Sequence, residues 1–159
     1  MISEKDKRYM QMASIWATNS HAVRSQVGAL IVKGTSIISD GYNGTPSGFD
    51  NCCEEYKCPD ENLKGTAACD LNCPKCDKAL FVTKPIVLHA EANAILKLAK
   101  STLSSDGSTL YVTMSPCLEC SKLIIQAGIK RVVYGILYRD DKGLQLLNDA
   151  GITTEKIEK

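Results

Sequence analysis

Apolar positions recur at helical spacing near the start of the chain, where Tyr9, Met12, Ala13 and Trp16 form a stripe. The pattern predicts a helix over 3–18 that packs by this stripe, with Ser3 as its cap and Asp6 three residues on. Two β-rich runs follow in "VGALIVKGTSIISDGYNG" (27–44), joined at Lys33-Gly34-Thr35 as an antiparallel hairpin. Periodicity then fades from 50 to 84, a span long for a loop in a compact domain, so something other than an apolar core must order it. Regular patterning returns with a helix over 89–100, facing inward through Ala92, Ile95, Leu96 and Ala99. A strand over 108–114 leads to a helix over 115–128, with Ser115 as cap, Pro116 at its first position and Gly128 at its end. A strand over 131–138, a helix near 142–149 and a short strand in "ITTEKIE" complete the order.

A strand–helix–strand succession with short links implies parallel pairing through a right-handed crossover. The expected fold is therefore α/β, one mixed sheet with helices on its faces. At 159 residues the chain reads as a single domain, 1–159, carrying a cysteine-rich insert at about 50–84. A net charge of +1 with no basic run points away from nucleic acid and membrane surfaces as partners. No apolar run reaches the roughly 18 residues of a membrane span, and "MISEKDKRYM" is too polar for a leader, so the expected location is cytoplasmic. In such a reducing compartment, eight cysteines suit metal binding better than disulfides.

The chemistry concentrates in "HAE" (89–91) and "PCLEC" (116–120). Cys117 and Cys120, three apart, share a helical face in a first turn, where free N–H groups favour thiolates. With His89 they make the three-ligand set of a catalytic zinc, whose fourth position is open to water. Two thiolates leave that metal formally neutral, so a nearby base is useful, and Glu91 is placed to move the proton. Alone, either motif is a weak signal. Together, H-x-E followed by P-C-x-x-C is the pattern of zinc nucleobase deaminases.

At these residues the chain resembles the cytidine and deoxycytidylate deaminase superfamily. The stretches "SQVGALIV" (25–32), "GYNGTPSG" (41–48), "LHAEANAI" (88–95), "LYVTMSPCLECSKLIIQAGIKRVVY" (110–134) and "LYRDD" (137–141) are similar to deoxycytidylate (dCMP) deaminases, phage enzymes among them. The resemblance implies a three-layer α/β/α sandwich of the cytidine deaminase type. It implies hydrolysis of dCMP to dUMP and ammonia, feeding dTMP synthesis. It also implies zinc on His89, Cys117 and Cys120, with Glu91 as the proton shuttle. The Ala90 N–H and Ser115 carbonyl would read the pyrimidine, Asn43 the sugar hydroxyl, and Tyr138 the sugar or phosphate end.

In that family a loop like Gly41-Tyr42-Asn43-Gly44 is associated with a dCTP activator or dTTP inhibitor with Mg²⁺, and the enzymes are typically hexameric. A turn alone would explain the same Gly/Asn/Pro composition. Arg24 and Lys33 are candidate phosphate partners, although exposed basic residues are usually only solvated. In the insert, Cys53, Cys58, Cys73 and Cys76 have spacing suited to a second, structural zinc, and Cys52 or Cys69 could replace one of them. Competing readings are a deaminase of another cytosine compound, a non-catalytic zinc-organised binding module, and a thiol oxidoreductase using Cys73 and Cys76.

Overall fold

The computed structural model describes residues 1–57 and 80–158. In chain order the elements are α1 (Glu4–Ala17), β1 (Gly28–Lys33), β2 (Ser36–Tyr42), β3 (Glu54–Lys57), β4 (Leu80–Thr83), α2 (Ala90–Leu98), β5 (Thr109–Met114), α3 (Leu118–Gln126), β6 (Arg131–Ile136), α4 (Lys142–Asp149) and β7 (Thr153–Lys156). Five strands make one sheet in the order β2-β1-β5-β6-β7. β1 is antiparallel to both β2 and β5, whereas β5, β6 and β7 run parallel. The sheet is mixed, as the strand–helix–strand pattern requires.

β1 is buried on both faces, and its side chains alternate between two cores. Ala29 and Ile31 join Leu110, Val112 and Val132 against Ala90, Ala94, Ile124 and Leu147 of the helices on one side. Leu30 and Val32 join Tyr111 and Val133 against Met10 and Ala13 of α1 on the other. This is a three-layer α/β/α sandwich.

Two glycines set the layer spacing. A Cβ on Gly28 would lie 2.1 Å from the Ala13 carbonyl oxygen of α1, and one on Gly41 would lie 2.2 Å from that of Ala90 in α2. A third, on Gly143 of α4, would meet the Pro116 carbonyl oxygen at 2.2 Å, so α4 sits directly on the segment entering α3. These positions take no side chain because neighbouring backbone occupies the space.

Away from the glycines, a buried charged cluster ties α1 to the sheet. Ser3 and Asp6 form a reciprocal capping box, and Asp6 also accepts from the Tyr111 hydroxyl at 2.6 Å and from Arg131 Nη1 at 2.6 Å. Burial opposes charge on Asp6, but the Arg131, Tyr111 and Ser3 hydrogen bonds outweigh it and hold the carboxyl well below the usual carboxylate range. Arg131 is shared with Glu155 of β7 at 2.7 Å.

Several local expectations are corrected. In α1, Ala13 is buried but Met12 and Trp16 are exposed; the inward face is Asp6, Met10, Ala13 and Ala17, and Trp16 instead donates to Asp40. In α2, Leu96 and Ala99 are exposed, and Ala90, Ala94 and Leu98 face the core. Ser115 does not cap α3. Its hydroxyl accepts the Tyr138 N–H at 2.8 Å, and Cys117 takes the cap position. The segment from 50 to 84 is not wholly irregular, because its ends pair as a separate antiparallel hairpin, β3–β4. Strands of four residues are too short to show alternation in sequence.

Gly41→Ala is expected to destabilise the fold by about 1–3 kcal/mol, because the new methyl meets helix backbone. Gly44→Ala, with open space around its Cβ position, should stay within about 0.5 kcal/mol of the parent. Chemical denaturation of the two variants checks the contrast.

Candidate active site

The turn into α2 and the turn into α3 meet where β5 and β6 end. His89 is the N-cap of α2 and makes no side-chain cap bond, which leaves its ring available. Cys117 is the N-cap of α3, and its Sγ accepts the Cys120 N–H at 3.5 Å. His89 Nδ1 lies 3.4 Å from Cys117 Sγ and 3.4 Å from Cys120 Sγ, and all three ligand atoms fall within 4.8 Å of one another. A tetrahedral zinc with Zn–S near 2.3 Å and Zn–N near 2.0 Å needs S···N edges of about 3.5 Å. The cluster therefore fits zinc in both donor type and spacing.

Hydrogen bonds from Cys120 and His89 bring the Cys117 thiol down to about 3, against the opposing effect of burial. Cys120 is pushed upward in turn, by its bond to Cys117 and by burial. Contact with Cys117 raises His89. One thiolate thus forms readily, and removing the second proton calls for a cation among these atoms. Glu91, one helical position past Ala90, is buried, and burial pushes its carboxyl up to about 7. A carboxyl poised near neutrality can both take and give a proton.

These groups open into a cavity of about 540 Å³. Of the expected site residues, Asn43, His89, Ala90, Glu91, Ser115, Cys117 and Tyr138 all line it, as does Arg24. Asn43 is also a strut: its Oδ1 accepts from Val27 N–H and its Nδ2 donates to the Ser25 carbonyl, both at 2.8 Å. Lys33 is not at the cavity and donates to the Ser104 carbonyl at 3.0 Å. Within the proposed effector loop, Gly41 abuts α2, Tyr42 accepts from the Asn93 side chain, and Gly44 bridges to Leu88. Cys58, Cys69, Cys73 and Cys76 lie outside the described residues. Cys53 is buried, which pushes its thiol up, and Cys52 is exposed.

Two cations at the cavity carry no sequence signal in spacing or periodicity. Lys84 follows directly on β4, and Arg139 stacks over the Tyr138 ring at 5.2 Å. Among the described residues Arg24 and Arg139 have no carboxylate partner, and Lys84 reaches the exposed Asp50 only at 3.8 Å. Among the described residues, the cavity wall thus carries two arginines without a carboxylate partner and one lysine with a distant one.

A His–Cys–Cys cluster beside a buried carboxylate, set at the strand ends of an α/β/α sandwich, defines a zinc-site protein of the deaminase class. Residues 3–136 match the family model described as the cytidine and deoxycytidylate deaminase zinc-binding region, and the chain belongs to that family. It is 36% identical to the deoxycytidylate deaminase of Schizosaccharomyces pombe over 92% of this chain and 42% of that protein. To the deoxycytidylate deaminase of Enterobacteria phage T4 it is 34% identical, over 98% of this chain and 91% of that one. The chain thus spans under half of the yeast relative but nearly all of the phage one. A dCMP deaminase from cyanophage S-TIM5, solved in complex with dCMP and dUMP, superposes with a TM-score of 0.80 at 42% identity, covering 99% of both chains.

The family's zinc-binding region and the geometry of the His89–Cys117–Cys120 cluster both support zinc here. Cys120→Ala is expected to lose this zinc, whereas Glu91→Ala keeps it. Metal analysis of the two purified variants distinguishes ligand from non-ligand.

Proposed function

We propose that the chain hydrolyses dCMP to dUMP and ammonia. The observation that carries this reading is one cavity that joins the His89–Cys117–Cys120 cluster and Glu91 to the cations Arg24, Lys84 and Arg139. The first group suits attack on a base and the second suits a phosphate. The relatives' names and the cyanophage complex support the same substrate.

His89, Cys117 and Cys120 would hold the zinc, whose Lewis acidity would make water nucleophilic near neutral pH. Water adds at C4 of the cytosine, the bond to the exocyclic nitrogen breaks, and ammonia leaves. Glu91 holds the proton taken from water and returns it to the departing nitrogen. The Ala90 N–H, in the unpaired first turn of α2, meets the pyrimidine edge, and the Ser115 carbonyl accepts from the amino group. Asn43 retains one amide hydrogen and one lone pair for the sugar hydroxyl beyond its two framework bonds. Tyr138 and Arg139 face the sugar and phosphate.

The wider reading rests on the family resemblance: dUMP made for dTMP synthesis, dCTP activation and dTTP inhibition with Mg²⁺ near Gly41–Gly44, and a hexamer. A second zinc held by Cys53, Cys58, Cys73 and Cys76, with Cys52 or Cys69 as substitutes, would order the segment between β3 and β4 without an apolar core.

Ammonia release from dCMP, CMP, deoxycytidine, dCTP and cytosine, with and without dCTP, tests substrate and control together. The expected order puts dCMP first, and a preference for deoxycytidine would sink the monophosphate reading. Glu91→Ala should lower turnover by about 100-fold or more; a fully active variant would remove Glu91 from the mechanism. Metal analysis of the parent should give two zinc ions per chain. A value of one, with reactive thiols in the insert, would overturn the second site.

A further inference from the structure

Glu54 is charged, nearly buried (6% exposed) and close to the cavity without lining it. Its Oε1 accepts two backbone N–H groups, Val23 at 3.0 Å and Arg24 at 3.1 Å. The carboxylate is thus spent on the backbone that carries Arg24, leaving the guanidinium free of it. Directly across the β3–β4 hairpin, Glu54 pairs with Thr83, and Thr83 Oγ1 accepts from Arg24 Nη1 at 3.4 Å. Residues opposite one another in an antiparallel pair project to the same side. One side of the hairpin end therefore grips Arg24 twice, by its main chain and by its side chain. The next residue, Lys84, continues the ladder by donating its N–H to the Cys53 carbonyl at 2.8 Å and brings a second cation to the same wall.

We propose that Glu54 is a positioning residue for phosphate recognition: through the Val23 and Arg24 amides it presents Arg24 to the phosphate of a nucleoside monophosphate. This rests on the monophosphate reading above. A backbone pinned at residues 23 and 24 shortens the arc that Arg24 can sweep, so its charge is organised before the ligand arrives. The acceptor need not be charged to do this, because a Gln Oε1 can receive the same two N–H groups.

The experiment is steady-state kinetics with dCMP and with unphosphorylated deoxycytidine. Glu54→Ala is expected to raise KM for dCMP about tenfold or more, with kcat within about threefold and deoxycytidine kcat/KM nearly unchanged. Glu54→Gln should stay close to the parent. Glu54→Asp draws the carboxylate back by one methylene and should move in the same direction as alanine, and it serves if the alanine variant fails to fold. In an Arg24→Ala background, Glu54→Ala should add less than about twofold, because both changes act through one group. Equal loss with both substrates, or full additivity with Arg24→Ala, would overturn the inference and reduce Glu54 to a structural tie. If Arg24→Ala loses the preference for dCMP while Glu54→Ala retains it, this inference fails and the monophosphate reading stands. A parent with no preference for dCMP over deoxycytidine would overturn both.

Discussion

The separation between α2 and the sheet sets the position of His89 and Glu91, and that separation depends on a missing side chain. At Gly41 the Ala90 carbonyl oxygen occupies the place where a Cβ would stand. The first turn of α2 is therefore pressed against β2, and that turn carries Ala90 and Glu91, with His89 at its cap. Gly143 does the same for the other half of the site by seating α4 on the Pro116 carbonyl just ahead of Cys117. Distances of 3.4 Å from one imidazole nitrogen to two sulfurs require both helix starts to be located to within a fraction of an ångström. Backbone contact supplies that precision better than flexible side chains can.

Charge is treated in opposite ways at the two ends of the parallel strands. At the start of β6, Arg131 is enclosed by Asp6 and Glu155, with Tyr111 completing the cluster, so nothing is left for a ligand. Past the end of β6, Arg139 rests on an aromatic face and Arg24 bonds to a neutral hydroxyl. The framework charges are paired, whereas among the described residues Arg24 and Arg139 at the cavity meet no carboxylate. Ligands of α/β sheets gather beyond the carboxyl ends of parallel strands, and the zinc cluster follows that rule. The cationic wall of the cavity draws in addition on the residue after β4 and the loop before β1, outside the parallel part.

The order of helices and strands in the main sheet was readable from the apolar pattern, whereas β3 and β4, four residues each at the ends of a polar stretch, were not. The inward faces were less readable. In α1 and α2 the apolar stripe and the buried stripe differ by about one residue, since Trp16 and Leu96 lie outside while Asp6 and Glu91 lie inside. A buried carboxylate reads as polar in any hydropathy pattern, yet each of these is held by partners or by a site. The α3 start was misplaced for a related reason. Ser115 is a good cap by residue type, but Tyr138, arriving from β6, had already taken its hydroxyl.

The sequence by itself determined the zinc chemistry. Cys117 and Cys120 are neighbours on one turn, and His89 and Glu91 are two residues apart, so local helix geometry and thiolate, imidazole and carboxylate chemistry mark them as candidate ligands and a candidate acid–base group. Only the tertiary structure decided how the rest of the cavity is assembled. Glu54, Thr83, Lys84 and Arg139 come from three segments with no shared spacing. They meet because two paired four-residue strands, β3 and β4, lie beside the loop before β1 and because the parallel β5–β6 pair delivers Tyr138 and Arg139 next to Ser115. Hydrogen bonds between residues about thirty or more positions apart leave no periodic trace in a chain. Candidate ligands that share a turn can be read in order, whereas a wall built by long-range pairing has to be folded before it exists.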